Sequence, residues 1–301
     1  MGLRLLTGIP LGYLAALTMV YPRAFSPHLQ FLIFAAVTFI GLRELLRLLK
    51  LDGPGALPDS RGVALVCQVF YLLLLWIAHV GHWDAVALWA FAFFLALALL
   101  QVPRYVPGQP FLEVPMRALF AVIYPAIGCA ALFQIRDLGE HWQAIGAFPP
   151  GLFNVAGLFP LVGTWGYDGC ALATGLVLGR TPMVPAISPK KSWEGFAGGL
   201  TGVGVAMALT IWWIYKYQLH ATPAPLAYAV AIVIGLHCGA VSQLGDIFAS
   251  CLKREAQVKD SADLIPSQGG ILDKMDGLLF VLPTVYGLLL LSDQWLFPGA
   301  V

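Results

Sequence analysis

Apolar runs of about membrane thickness, separated by short polar breaks, follow one another along nearly the whole chain. A helix needs roughly 20 apolar residues to cross the hydrocarbon core of a bilayer. On that measure spans are expected at 4–21, 28–49, 62–80, 84–102, 115–135, 152–178, 195–215, 226–251 and 277–296. The breaks carry Pro and Gly, as in YPRAFSPH, LDGPGALPDSRG, VPRYVPGQPF and QLHATPAP, which end helices and shape turns. The expected fold is therefore an all-α polytopic transmembrane helix bundle of about nine spans. It forms a single integral membrane domain over 1–301, in which helices within 1–140 precede the motif-bearing helices within 150–297. Arg4 before the first apolar run has the look of a signal peptide, but no small-residue cleavage site precedes YPRAF. That run is read as the first span.

Composition makes the reading firmer. Hydrophobic residues are 59% of the chain, charged residues 11%, and the mean hydropathy is +0.80, which excludes an ordinary soluble domain. The 17 Lys and Arg residues then orient the spans, because basic side chains favour the cytoplasmic side of short loops. With the N-terminus inside, only Arg23, Arg136 and Lys216 fall on the opposite side. The C-terminus is then outside, and the expected location is a bacterial inner membrane. Cys67, Cys129, Cys170, Cys238 and Cys251 are scattered singly and read as small hydrophobes. The histidines show no spacing suited to zinc. No internal repeat supports an inverted-repeat transporter.

Against that apolar background, charge is concentrated in SCLKREAQVKDSADLIPSQGGILDKMD, Ser250 to Asp276. Asp273 and Asp276 are spaced i, i+3 and share a helix face, and Asp246 lies just upstream. Lys253, Arg254, Lys259 and Lys274 surround these acids. Carboxylates beside ammonium and guanidinium groups suit a site that holds both a divalent cation and phosphate, as in metal-assisted phosphoryl or nucleotidyl transfer. Asp168 lies about 15 Å deep in its expected span, where an ionisable group is costly and usually functional. Ser242, Asp246 and Ser250 form a polar stripe on the eighth span, beside Gly235, Gly239 and Gly245, which permit close helix approach. Glu44, flanked by Arg43 and Arg47, reads as a structural ion pair or a snorkelled group. In ISPKKSWEG, Ser192 is a candidate helix N-cap, with Lys190 and Lys191 supplying positive charge before it.

These motifs resemble the signature of the phosphatidate cytidylyltransferases, the CDP-diacylglycerol synthases. Ser250, Lys253, Arg254, Lys259, Asp260, Pro266, Gly269, Gly270, Asp273 and Asp276 match its C-terminal segment, and Gly245 with Asp246 its upstream Gly-Asp pair. Ser188 through Gly195 match its S-P-K-K-T-W-E-G motif, with Ser192 for Thr; Asp168, Gly179 and Arg180 match the preceding Asp and Gly-Arg. The chain departs from the pattern at Gln268, where the family has His, and at Lys274, where it has Arg. Gln does not titrate near neutral pH, and Lys lacks the bidentate fork of Arg.

The resemblance implies transfer of CMP from CTP to phosphatidic acid, giving CDP-diacylglycerol and pyrophosphate. On that reading Asp246, Asp273, Asp276, Lys253 and Lys259 are catalytic. Ser188, Lys190, Lys191, Arg180, Ser250, Arg254, Asp260, Gln268, Gly269, Gly270 and Lys274 contact substrate, and Asp246, Asp273, Asp276 and Asp168 hold Mg2+ or Mn2+. The resemblance also suggests a second, monovalent cation. CTP and membrane lipid are the partners; no nucleic acid is expected, and a homodimer stays open. The alternatives are a CTP-dependent lipid kinase of the polyprenol type, attacking the γ-phosphorus, and a catalytically degenerate paralogue that binds lipid or nucleotide.

Overall fold

The structure is a computed structural model. It describes residues 27–296 apart from 54, 58–59, 106–110, 145–153, 218 and 265–268. The first expected span and Gln268 lie outside the described residues. The helices are α1 (Pro27–Leu48), α2 (Ser60–Val80), α3 (Val86–Gln101), α4 (Glu113–Ala144), α5 (Leu158–Leu178), α6 (Trp193–Tyr217), α7 (Pro225–Glu255) and α8 (Leu272–Leu296). Each overlaps one of the other eight expected spans. Seven are long and apolar enough to cross a membrane. The exception is α5, which carries Thr164, Tyr167 and Asp168 near its middle.

The chain divides into two compact units, and both cross the sequence. Among described residues the first holds 31–130 and Leu252–Met275. In it Leu42, Leu45, Leu46, Cys67, Tyr71 and Val122 are fully buried. Polar atoms within this core find partners. The Cys67 thiol donates to the Ala118 carbonyl at 3.8 Å, and the Trp89 indole N–H donates to the Phe70 carbonyl at 2.8 Å. Arg117 donates to the Leu49 carbonyl at 2.7 Å, just past the end of α1, and pairs with Glu113 at 2.8 Å. On α3, Leu88, Phe91, Phe94 and Leu99 are all more than 60% exposed. A helix apolar on its outward face fits a hydrocarbon surround and would be a liability in water.

Among described residues the second unit holds 27–30, 131–251 and the part of α8 from Asp276. Its helices come close because small residues meet across the contacts. A Cβ on Gly195 would stand 3.0 Å from the Ala171 carbonyl oxygen and 3.2 Å from the Gly175 Cα, and one on Gly199 would meet Tyr167 and Ala171. This row seats α6 against α5. The glycines expected to permit close approach on α7 do so: Gly235 faces Met207, Gly239 faces Tyr167, and Gly245 faces Gly277 of α8.

The link from α5 to α6 is a small antiparallel hairpin, β1 (Pro182–Val184) with β2 (Ser188–Ser192). The sequence of this segment gives no strand signal and reads as a loop between two spans, so the hairpin is an addition to the all-α expectation. Its base is tied by side chains. The Glu194 carboxylate accepts the backbone N–H of Arg180 at 3.1 Å, the backbone N–H of Thr181 at 3.1 Å and the Thr181 hydroxyl at 2.7 Å. Ser192 is the N-cap expected of it: its Oγ accepts the Gly195 N–H at 3.1 Å.

Candidate active site

Tyr167 and Asp168 of α5, Lys190 and Lys191 of β2, and Gln243 and Asp246 of α7 line one cavity of about 440 Å³ in the second unit. Each polar group arrives by a different local device. The hairpin carries the two lysines away from the helix axes, and Ser192 starts α6 immediately after them. The i, i+4 spacing of Ser242 and Asp246 puts both on the α7 face toward α5. Lys191 Nζ stands 3.1 Å from Asp246 Oδ2, with the side chains 23% and 28% exposed. The Ser242 hydroxyl donates to Asp168 Oδ1 at 3.5 Å, a long contact. Tyr167 donates to Gln243 Oε1 at 2.9 Å. Leu172 and Leu176, which also border the cavity, are 65% and 78% exposed. Charged groups thus stand beside a leucine-lined flank that opens to the surface of the unit.

Close by on α7 and α8, a Cβ on Gly277 would stand 3.1 Å from Asp246 Oδ1, and one on Gly245 would meet the Asp276 carbonyl. Asp276 is half-buried, and its Oδ1 accepts the Gly277 N–H at 2.9 Å. Ser250 is half-buried one turn beyond Asp246.

The remaining motif residues belong to the first unit, where they form a second cluster. Lys253 Nζ and Asp273 Oδ1 are 2.6 Å apart and nearly buried, at 14% and 9% side-chain exposure. Asp273 Oδ2 accepts the backbone N–H of Ser261 at 2.7 Å, the Ser261 hydroxyl at 2.8 Å and the Gly270 N–H at 3.0 Å. Gly269 has a φ of +85°, and its missing Cβ leaves the space that Asp273 and Asp260 occupy. Arg254, Lys259, Asp260 and Lys274 are exposed, and Arg254 donates to the Val258 carbonyl at 3.3 Å. Arg180 and Lys190 are exposed and Ser188 half-buried.

Two sequence expectations change here. Glu44 makes no ion pair with Arg43 or Arg47, which are both exposed; it is 3% exposed and accepts the N–H groups of Ile271 and Leu272 at 3.0 and 2.8 Å and the Ser261 hydroxyl at 2.9 Å. The arginines beside it in sequence lie on other faces of α1, so proximity along the chain misled. Asp273 is not an open carboxylate, since four donors already occupy it. Among the described residues no three His, Cys, Asp or Glu side chains gather as a ready metal-holding group. Glu194, a motif residue with no assigned role, locks the hairpin that presents Lys190 and Lys191.

Comparison with known proteins agrees with the motif reading. The cytidylyltransferase family model matches residues 3–292. The phosphatidate cytidylyltransferase of Bacillus subtilis (strain 168) is 32% identical over 96% of this chain and 97% of its own length. That of Staphylococcus aureus (strain COL) is 28% identical over 92% and 96%. Phosphatidate cytidylyltransferase 4, chloroplastic, of Arabidopsis thaliana is 36% identical over 82% of this chain and 63% of its own length. With one family matched from Leu3 into the last turns of α8, and its acidic and basic motif residues held in two ordered clusters, this protein is a member of the cytidylyltransferase family.

Proposed function

We propose that this membrane protein transfers CMP from CTP to phosphatidic acid, releasing pyrophosphate and leaving CDP-diacylglycerol in the bilayer. The observation that carries the reading is the cavity in which Asp168 and Asp246 meet Lys190 and Lys191 beside an exposed leucine flank. It offers cation-holding carboxylates, phosphate-holding ammonium groups and an apolar border in one place. A nucleoside triphosphate needs the first two, and a phospholipid acceptor needs the third.

A phosphatidate oxygen attacks the α-phosphorus of CTP; the new P–O bond forms as the bond from the α-phosphorus to the α,β-bridging oxygen breaks, and pyrophosphate takes the electron pair. A phosphate monoester loses its second proton at a pKa of about 6, so the attacking oxygen is already ionised near neutrality. No protein base is needed to remove a proton, which is why Gln268 in place of His is compatible with activity. The chain's own work is to hold charge. Lys190 and Lys191 draw the triphosphate in, and Asp246 keeps the Lys191 ammonium aimed into the cavity.

The donor set at Asp168, Asp246 and Ser242 consists of hard oxygens, which suit Mg2+ or Mn2+ and, at Asp168, a monovalent cation. Asp276, at the α7–α8 contact, is the further carboxylate assigned to the divalent ion; Asp273, in the first unit, is already held by Lys253. When bound, such an ion neutralises charge on the α- and β-phosphates. EDTA is expected to abolish transfer, and Mg2+ or Mn2+ added in excess to restore it. Orientation follows from the basic residues: N-terminus and cavity at the cytoplasmic face of a bacterial inner membrane, C-terminus outside.

The deciding experiment uses purified protein, phosphatidate, Mg2+ and CTP labelled separately at the α- and γ-phosphates. Label from the α-position in lipid, with γ-label released as pyrophosphate, is the expected result. γ-Label in lipid would make the protein a CTP-dependent lipid kinase instead.

A further inference from the structure

We propose that Glu44 is a positioning residue for this reaction: from α1 it sets where the Lys253–Asp273 pair stands. The inference rests on the activity proposed above. Glu44 lies 217 to 228 residues away from its partners, the Ser261 hydroxyl and the Ile271 and Leu272 amides. A buried carboxylate without an ion pair is costly. Two amides at the start of α8, where the helix dipole favours negative charge, offset that cost, and the Ser261 hydroxyl, shared with Asp273, adds to them.

If Glu44 were only a helix cap, its bonds would end at α8. They continue instead. The Ser261 Oγ lies 2.9 Å from Glu44 Oε2 and 2.8 Å from Asp273 Oδ2. A hydroxyl has one proton, so Ser261 joins the two carboxylates through a single shared donor. Gly270 closes the link from the other side: its N–H donates to Asp273 Oδ2, and a Cβ there would overlap both the Glu44 carboxylate and the Ser261 hydroxyl. The Gly269–Gly270 turn is thus shaped around Glu44 as closely as around Asp273. A shift of the Glu44 carboxylate moves Ser261 and Gly270, and with them Asp273 Oδ2, so the carboxylate whose other oxygen, Oδ1, holds Lys253 turns as well.

The test compares full-length wild-type protein with Glu44→Gln. The amide has one acceptor oxygen, so its NH2 faces either the Ile271 or the Leu272 N–H and one bond is lost. Amide hydrogen exchange at Gly270–Leu272 is expected to quicken by about tenfold, with other helices unchanged. The kcat for α-label transfer is expected to fall by about 10- to 100-fold, as misplacement of a catalytic group does, with KM for CTP held within about twofold because the cavity lysines are untouched. Unchanged exchange would show that Glu44 does not hold the turn; faster exchange with unchanged kcat would reduce it to a structural cap. Either result overturns the proposal. If Glu44→Gln does not fold, Ser261→Ala serves, since it keeps both α8 amide bonds and cuts the link between the carboxylates; an unchanged kcat there overturns it equally. Wild-type protein run alongside separates two failures. If it transfers no α-label, the activity is wrong; if it transfers and Glu44→Gln transfers as fast, the role of Glu44 is wrong.

Discussion

At Gly270 one methyl group would fill the space that the Glu44 carboxylate and the Ser261 hydroxyl occupy. Gly270→Ala is therefore expected to destabilise the protein by about 1 to 3 kcal/mol, the range for overpacking a close contact, read as a lowered thermal midpoint. Lys191 behaves differently. Its pair with Asp246 is partly solvated, and such pairs contribute at most about 1 kcal/mol. Lys191→Ala is expected to leave the midpoint within a few degrees while raising KM for CTP about tenfold, a loss of phosphate binding and not of fold. Asp276→Asn, at a half-buried position, should leave the protein folded and remove transfer activity; full activity in that variant would take Asp276 out of the mechanism.

The β1–β2 hairpin makes the corresponding point for an element. Three donors converge on Glu194, so Glu194→Ala is expected to free the hairpin base. Proteolytic nicking between Thr181 and Ser192 would then quicken, and KM for CTP rise, with the helices undisturbed. Sequence periodicity did not show this hairpin, because its residues, PMV and SPKKS, do not alternate in polarity and, Val184 apart, do not favour strands; its base is tied by a carboxylate in the next helix. Seven of the eight helices were legible for the opposite reason, since each is an apolar run that matches a membrane thickness and needs no distant partner to be recognised. Motif residues were legible as chemistry but not as grouping. Asp246 and Asp273 read alike in sequence, yet one borders a cavity and the other is enclosed by four donors. Glu44 was misread because the residues that decide its role lie more than 200 positions further along the chain.

For the whole molecule, orientation is the property most open to direct test. Cys251 is the exposed cysteine of the five. With Cys251→Ser as background, a cysteine replacing exposed Asp263 is expected to react with a membrane-impermeant maleimide in inverted vesicles and to stay unlabelled in intact cells. Labelling in intact cells would invert the topology. The leucine flank beside the cavity also governs how the enzyme meets its acceptor. Drawing a phospholipid into water costs about 0.8 kcal/mol per exposed CH2, so a diacyl chain pair leaves the bilayer far too seldom to sustain turnover. With Leu172 and Leu176 facing outward at the edge of the charged groups, an acceptor that entered sideways would keep its tails in hydrocarbon. What the enzyme senses is then a two-dimensional density. Adding inert detergent or neutral lipid at constant total phosphatidate should slow it, as dilution within the surface does, although nothing in the bulk solution has changed.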